Sequence, residues 1–129
     1  MAPQVIELRI RHPARPAAIG RARHEVEDLL SRAEVDPRTS GDLMLLVSEL
    51  VTNAVRHARS DRFEVRLDVA PDRLRLEVHD EGAGFVPEIA PYDDGTGGYG
   101  LFIVDQLADR WGVDRDEQGL VWLELDRVS

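Results

Sequence analysis

The stretch from Leu43 to Ala58 constrains this chain more than any other. Leu43, Leu46, Val47, Leu50, Val51 and Ala54 recur at helical spacing, while Glu49, Asn53 and His57 stand four residues apart. A step of four advances about 400° around an α-helix, so the polar three keep to one side with a drift of about 40° per step. Such a segment is an amphipathic helix with its apolar face in a core. An acid, a carboxamide and an imidazole in one line also suit a metal–phosphate site. The asparagine oxygen can bind a hard cation, and the carboxylate can orient or deprotonate a nucleophile. Taken alone, the line could equally be an ordinary solvated face.

Composition narrows the function. At 129 residues the chain is expected to form one domain, residues 1–129, large enough to bury a core. Its formal charge of −9 argues against nucleic acid as a partner, because no basic patch stands out to neutralise phosphates. Nucleotide binding stays open, since backbone amides and a metal ion can do that work. The absence of cysteine excludes disulfides, thiol catalysis and cysteine–zinc sites. The histidines, His12, His24, His57 and His79, have no metal-ligand spacing. With no apolar run near the roughly 18 residues of a membrane span and no apolar signal core, a cytoplasmic protein without membrane contact is expected. All sixteen basic residues are arginine. A P-loop and a protein-kinase fold both need a lysine on the phosphates, so ATP chemistry here requires another architecture.

Periodicity supplies the elements. Gln4 to Ile10 alternates and reads as a strand, broken by Pro13 and Pro16. A first helix follows with Ile19, Val26, Leu29, Leu30 and Ala33 as its buried stripe. Asp36-Pro37 marks a turn, and Thr39 or Ser40 is expected to cap the second helix, which ends near 58–60. Phe63, Val65, Leu67 and Val69, then Leu74, Leu76 and Val78, form a hairpin about Pro71-Asp72. Residues 86–98, rich in proline, glycine and acid, read as a loop. A third helix starts near Tyr99, and closing strands cover Trp111–Asp114 and Leu120–Leu125. The order β-α-α-β-β-loop-α-β-β predicts an α+β fold: a two-layer α/β sandwich with helices on one face of a mixed, mostly antiparallel sheet.

Two more segments carry chemistry. Asp80 closes an apolar strand and is followed by Gly82 and Gly84. A carboxylate there can accept a hydrogen bond from the exocyclic amine of a base such as adenine, and the glycines let a flat ring approach the backbone. A surface turn would use the same residues. Gly95-Thr96-Gly97-Gly98-Tyr99-Gly100-Leu101 runs into a helix whose free amides form an anion site, with the Thr96 hydroxyl as a further donor.

These motifs occur in a fixed order: Glu-x-x-x-Asn on a helix, strand-Asp-x-Gly-x-Gly, a loop, then Gly-x-Gly-Leu opening a helix. As a set they resemble the GHKL ATPase superfamily, with its Bergerat-type ATP-binding fold, over nearly the whole chain. Size favours the small anti-sigma-factor serine kinases. The resemblance implies ATP and Mg²⁺ as cofactors, with Asn53 as the magnesium ligand and Glu49 as general base. It implies that Asp80 reads adenine, that Gly82 and Gly84 line the adenine loop, and that Thr96, Gly98, Tyr99, Gly100 and Leu101 form the phosphate segment. His57 matches a common polar position after the asparagine and is counted with the nucleotide-binding residues, and packing at the helix end is at least as good an alternative. The family implies a homodimer that phosphorylates a serine on an anti-anti-sigma protein and sequesters a sigma factor. Two departures bear on transfer. Residues 86–97 contain no arginine or lysine to meet the γ-phosphate, and Leu120 lies near where many members carry a threonine beside adenine. A binding module that regulates a partner without phosphoryl transfer is therefore the second reading.

Overall fold

The structure, a computed structural model, describes residues 4–56, 61–80, 100–114 and 120–127, apart from the side chains of Gly100 and Leu101. The elements are β1 (Ile6–Pro13), α1 (Pro16–Arg32), α2 (Pro37–Arg56), β2 (Arg62–Val69), β3 (Arg73–Asp80), α3 (Gly100–Leu107), β4 (Arg110–Asp114) and β5 (Leu120–Asp126). This is the expected order. β1 extends further than its alternation suggested, to Pro13 opposite Arg62. It is an edge strand, where a residue without an N–H is tolerated.

The five strands lie in the order β1-β2-β3-β5-β4. Every described pairing is antiparallel, so the expected parallel component is absent between neighbours. Connectivity explains why. Two helices lie between β1 and β2 and return the chain to the end where β1 finished, so β2 runs back along it. One helix lies between β3 and β4, which do point the same way. β5 enters between them and pairs antiparallel with both.

Alternation places one apolar row per strand against the helices. Phe63, Val65, Leu67 and Val69 of β2, Leu74, Leu76 and Val78 of β3, and Val121, Leu123 and Leu125 of β5 are all buried. On α1 the buried residues are Ala18, Ala22, Val26, Leu29 and Leu30, whereas Ile19 and Ala33 are only partly covered. The small alanines carry a weak apolar signal, yet they let the helix approach closely. α1 ends with Glu34 at a φ of 55°. There Val35 N–H donates to the Leu30 carbonyl at 3.1 Å and Glu34 N–H to the Ser31 carbonyl at 3.1 Å, a Schellman ending made without glycine. The cap of α2 is Asp36 rather than Thr39 or Ser40: its Oδ2 accepts the Thr39 N–H at 3.0 Å. Pro37 occupies the first helical position, so the capping residue must precede it.

The opposite face of the sheet carries a ladder of ion pairs. Glu64 meets Arg9 at 3.2 Å, Arg66 at 2.8 Å and Arg11 at 3.8 Å. Arg75 joins Glu77 at 2.9 Å to Glu124 at 3.2 Å, and Arg110 holds Glu124 at 2.7 Å and also pairs with Asp126. The Arg75 guanidinium stacks on the Trp122 ring at 4.7 Å. The Trp122 indole in turn lies over Gly112, where a Cβ would come within 2.8 Å of it.

Both hub carboxylates are held below their ordinary range. Burial pushes Glu64 up, but the Arg66 hydrogen bond and the charges of Arg66, Arg9 and Arg11 outweigh it. The hydrogen bond from Arg110 lowers Glu124, aided by Arg75, against burial. A depressed folded pKa contributes stability that is present above the unfolded value of about 4.3 and lost as pH falls through the folded value. The urea midpoint should therefore fall as pH drops below about 4. Glu64→Gln and Glu124→Gln should each lower the midpoint at neutral pH and flatten that acid limb. An unchanged limb in both variants would show that the ladder is energetically silent. Asp68 and Glu49, both pushed up mainly by burial, act in the opposite sense, so the comparison is made against the wild type at each pH.

Candidate functional site

The directions of the elements bring the chemistry to one end of the molecule. β1 runs toward the end where His12 faces Phe63 and Phe63 faces Asp80. α1 leaves that end and α2 returns to it, so the later residues of α2 approach it. α2 has 20 residues, about 30 Å at 1.5 Å per residue, and Asn53 lies three residues before its last described one. β3 finishes there with Asp80. α3 is followed within two residues by β4, which starts beside Glu124 at the far end. Its N-terminus at Gly100 therefore points back toward the end that holds Asp80. α2 packs against both β3 and α3, which joins the three segments.

On α2 the apolar face is as expected: Leu43, Leu46, Val47, Leu50, Val51 and Ala54 are all buried. Glu49 and Asn53 are half-buried and lie one turn apart on the other side. Partial burial pushes the Glu49 carboxyl up, because the charged form loses hydration. Beside it, the Ser48 hydroxyl donates to the Met44 carbonyl at 2.7 Å and accepts a hydrogen bond from Arg23 of α1. Arg23 and Ser48 are 25 residues apart, and no sequence pattern announced this tie.

Asp80 is 1% exposed and continues the buried row of Leu74, Leu76 and Val78. A carboxylate in a register position otherwise filled by aliphatic residues is costly unless its oxygens are bonded. Among the described residues no buried side-chain polar atom lacks a hydrogen bond. In the same cross-strand row, the His12 ring lies 6.0 Å from that of Phe63, and His12 Nε2 meets Glu25 Oε1 at 3.1 Å.

Among the described residues no three acidic or histidine side chains group to hold a metal ion. A hard cation at Asn53 would take most of its ligands from phosphates and water, as magnesium commonly does. α3 begins at Gly100, so the amides of Gly100 and Leu101 belong to its first turn, where N–H groups have no helical acceptor. His57, Gly82, Gly84, Thr96, Gly98, Tyr99 and the segment 86–97 lie outside the described residues. Leu120 needs a different interpretation from the one its sequence position suggested. It alternates with the buried Val121, Leu123 and Leu125 and pairs with His79 and Asp114, so it stands on the ion-pair face of the sheet. Its identity therefore says little about contacts on the helix side.

The chain matches the histidine kinase-like ATPase domain family over residues 12–124. It is 32% identical over 121 residues to the serine-protein kinase RsbW of Listeria monocytogenes, covering 81% of this chain and 77% of the relative. It is 31% identical over 128 residues to the serine-protein kinase RsbW of Staphylococcus epidermidis, covering 86% and 79%. The chain thus belongs to the histidine kinase-like ATPase family, in its anti-sigma-factor serine kinase branch.

Two substitutions test the candidate residues. Asp80→Asn replaces an acceptor-only group by one that also donates, and it should weaken ATP binding about tenfold or more. The wild type should prefer ATP to GTP, because guanine presents a carbonyl where adenine presents its amine. Equal calorimetric affinities for ATP and GTP would remove Asp80 as the base reader. Asn53→Ala should abolish the magnesium-dependent part of ATP binding while leaving the circular dichroism unchanged. Loss of the folded spectrum would instead make Asn53 a structural residue.

Proposed function

We propose that this chain, as a single domain over residues 1–129, binds ATP with Mg²⁺ and transfers phosphate to a serine of an anti-anti-sigma protein. In this reading it also sequesters a sigma factor and works as a cytoplasmic homodimer, without nucleic-acid or membrane partners. The observation that carries the proposal is the convergence of Asp80, the Glu49–Asn53 line and the N-terminus of α3 at one end of the sheet. The kinase names of the relatives support it. No helix among the described residues is long and apolar enough to cross a membrane.

The roles follow from the chemistry of each group. Asp80 would accept the adenine amine, beside Gly82 and Gly84. Asn53 would hold the cation, which when bound lowers the charge on the phosphates. Thr96, Gly98, Tyr99, Gly100 and Leu101 would offer donors to phosphate oxygens, and His57 would serve either the nucleotide or packing at the helix end. Glu49 would take the proton from the acceptor serine as its oxygen bonds to phosphorus, and positioning with charge stabilisation supplies the rest of the rate. The second reading is a nucleotide-dependent binding module without transfer, favoured by the lack of arginine and lysine in 86–97. Glu49 favours the kinase, since a pure binding module has no obvious use for a carboxylate at that position.

Glu49→Ala separates the two. It should keep magnesium–ATP binding and sigma-factor capture, and it should lose phosphoryl transfer by about 10²–10⁴-fold. Incubation with γ-labelled ATP, magnesium and serine-bearing candidate partners measures this. Equal transfer by wild type and variant would exclude Glu49 as base. Binding of ATP by a wild type that modifies no partner would establish the binding module.

A further inference from the structure

α3 has only eight residues, too few to be stable alone, so its direction is set by what holds it. Among the described residues its hydrogen-bonded ties lie in and after the C-terminal half, while Ile103 is partly buried against the core. Val104 is fully buried in the core, and Ala108 N–H closes the last turn on the Val104 carbonyl at 2.8 Å. Ala108 and Asp109 alone connect the helix to β4. Asp109 N–H donates to the Glu124 carbonyl at 2.9 Å, and Asp109 Oδ2 accepts the Asp126 N–H at 2.6 Å. Among the described residues a side-chain bond ties the helix body to the strand: Trp111 Nε1–H of β4 donates to Asp105 Oδ1 of α3 at 3.0 Å. Trp111 is itself registered opposite the fully buried Leu123, so the donor stands on a rigid base.

We propose that Asp105 and Trp111 are positioning residues that set the angle of α3 and thereby the placement of its N-terminal amides against the phosphates of ATP. This rests on the ATP-binding reading given above. The helix is about 12 Å long, so a tilt of about 10° about its fastened end moves the N-terminal amides by about 2 Å. That exceeds the tolerance of a hydrogen bond. Asp80 belongs to β3, whose place is fixed by β2 and β5, and no bond of the pair reaches it. Recognition of the base and of the phosphates should therefore come apart when the pair is broken.

The test measures calorimetric affinity of the full chain for adenosine and for a non-hydrolysable magnesium–ATP analogue. Asp105→Ala and Trp111→Phe should each weaken the analogue about three- to tenfold, the worth of one ordinary solvent-exposed hydrogen bond, and leave adenosine within about twofold. The double variant should lose no more than either single one. Asp105→Asn keeps an acceptor oxygen and should retain the wild-type affinity. Asp105 is exposed, so the alanine–asparagine comparison decides the matter even if Trp111→Phe does not fold. Equal loss for both compounds, unchanged analogue affinity in Asp105→Ala, or failure of Asp105→Asn to rescue would overturn the positioning role. A wild type that binds neither compound would overturn the ATP-binding reading, and this inference with it.

Discussion

The apolar stripe of α2 is the contact on which everything else depends. Leu43, Leu46, Val47, Leu50, Val51 and Ala54 are buried, and the helix touches α1, α3 and β3. Fully burying one such aliphatic side chain typically contributes about 1.5–3 kcal/mol, so this one helix supplies a large part of the drive to form two layers. The stripe also determines the rotation of the helix. With those residues inward, Glu49 and Asn53 come to the margin of the core, half-covered, on the part of α2 that runs toward the end where β3 stops. The same burial that seats the helix pushes the Glu49 carboxyl up. Fold stability and the tuning of the candidate base are thus consequences of one packing choice.

The outer face of the sheet is covered differently. No helix lies on it among the described residues, and alternation puts charged side chains there. Arginine suits this face because its planar fork reaches two acceptors at once. Arg66 lies between Glu64 and Glu77, and Arg75 between Glu77 and Glu124. Isolated surface pairs are worth little, but here the two central carboxylates are nearly covered, and their neighbours keep them ionised. The lattice also leaves no long apolar strip on which the face could stick to others. Trp122 fits into this surface by lying on Gly112 under Arg75, an arrangement that needs a residue without a Cβ on β4.

Sequence by itself determined the identity and order of the elements, the apolar face of α2, the hairpin of β2 and β3, and the family. These depend on periodicity and on short-range chemistry, which a linear chain carries in full. It misplaced the α2 cap because Thr39 and Ser40 compete with Asp36 as cap formers, and only the position of Pro37 in the helix decides among them. It anticipated a mixed, mostly antiparallel sheet, and every described pairing proves antiparallel because β5 enters between β3 and β4, which point the same way. It read Leu120 as a possible loss beside the base, whereas register turns that residue to the other face.

Only the tertiary structure decided where the chemistry meets. Glu49, Asp80 and Gly100 are far apart along the chain and share no local pattern. They come to one end because an even number of helices separates β1 from β2, and because α3 returns the chain before β4. The same holds for the Arg23–Ser48 tie and the Asp105–Trp111 bond, whose partners come together only after helices have packed on strands. Residue types and spacings state which reactions are available, since reactivity belongs to side chains. Proximity, burial and the pKa shifts that follow from them belong to the folded molecule, because they depend on distances that the chain acquires only by closing on itself.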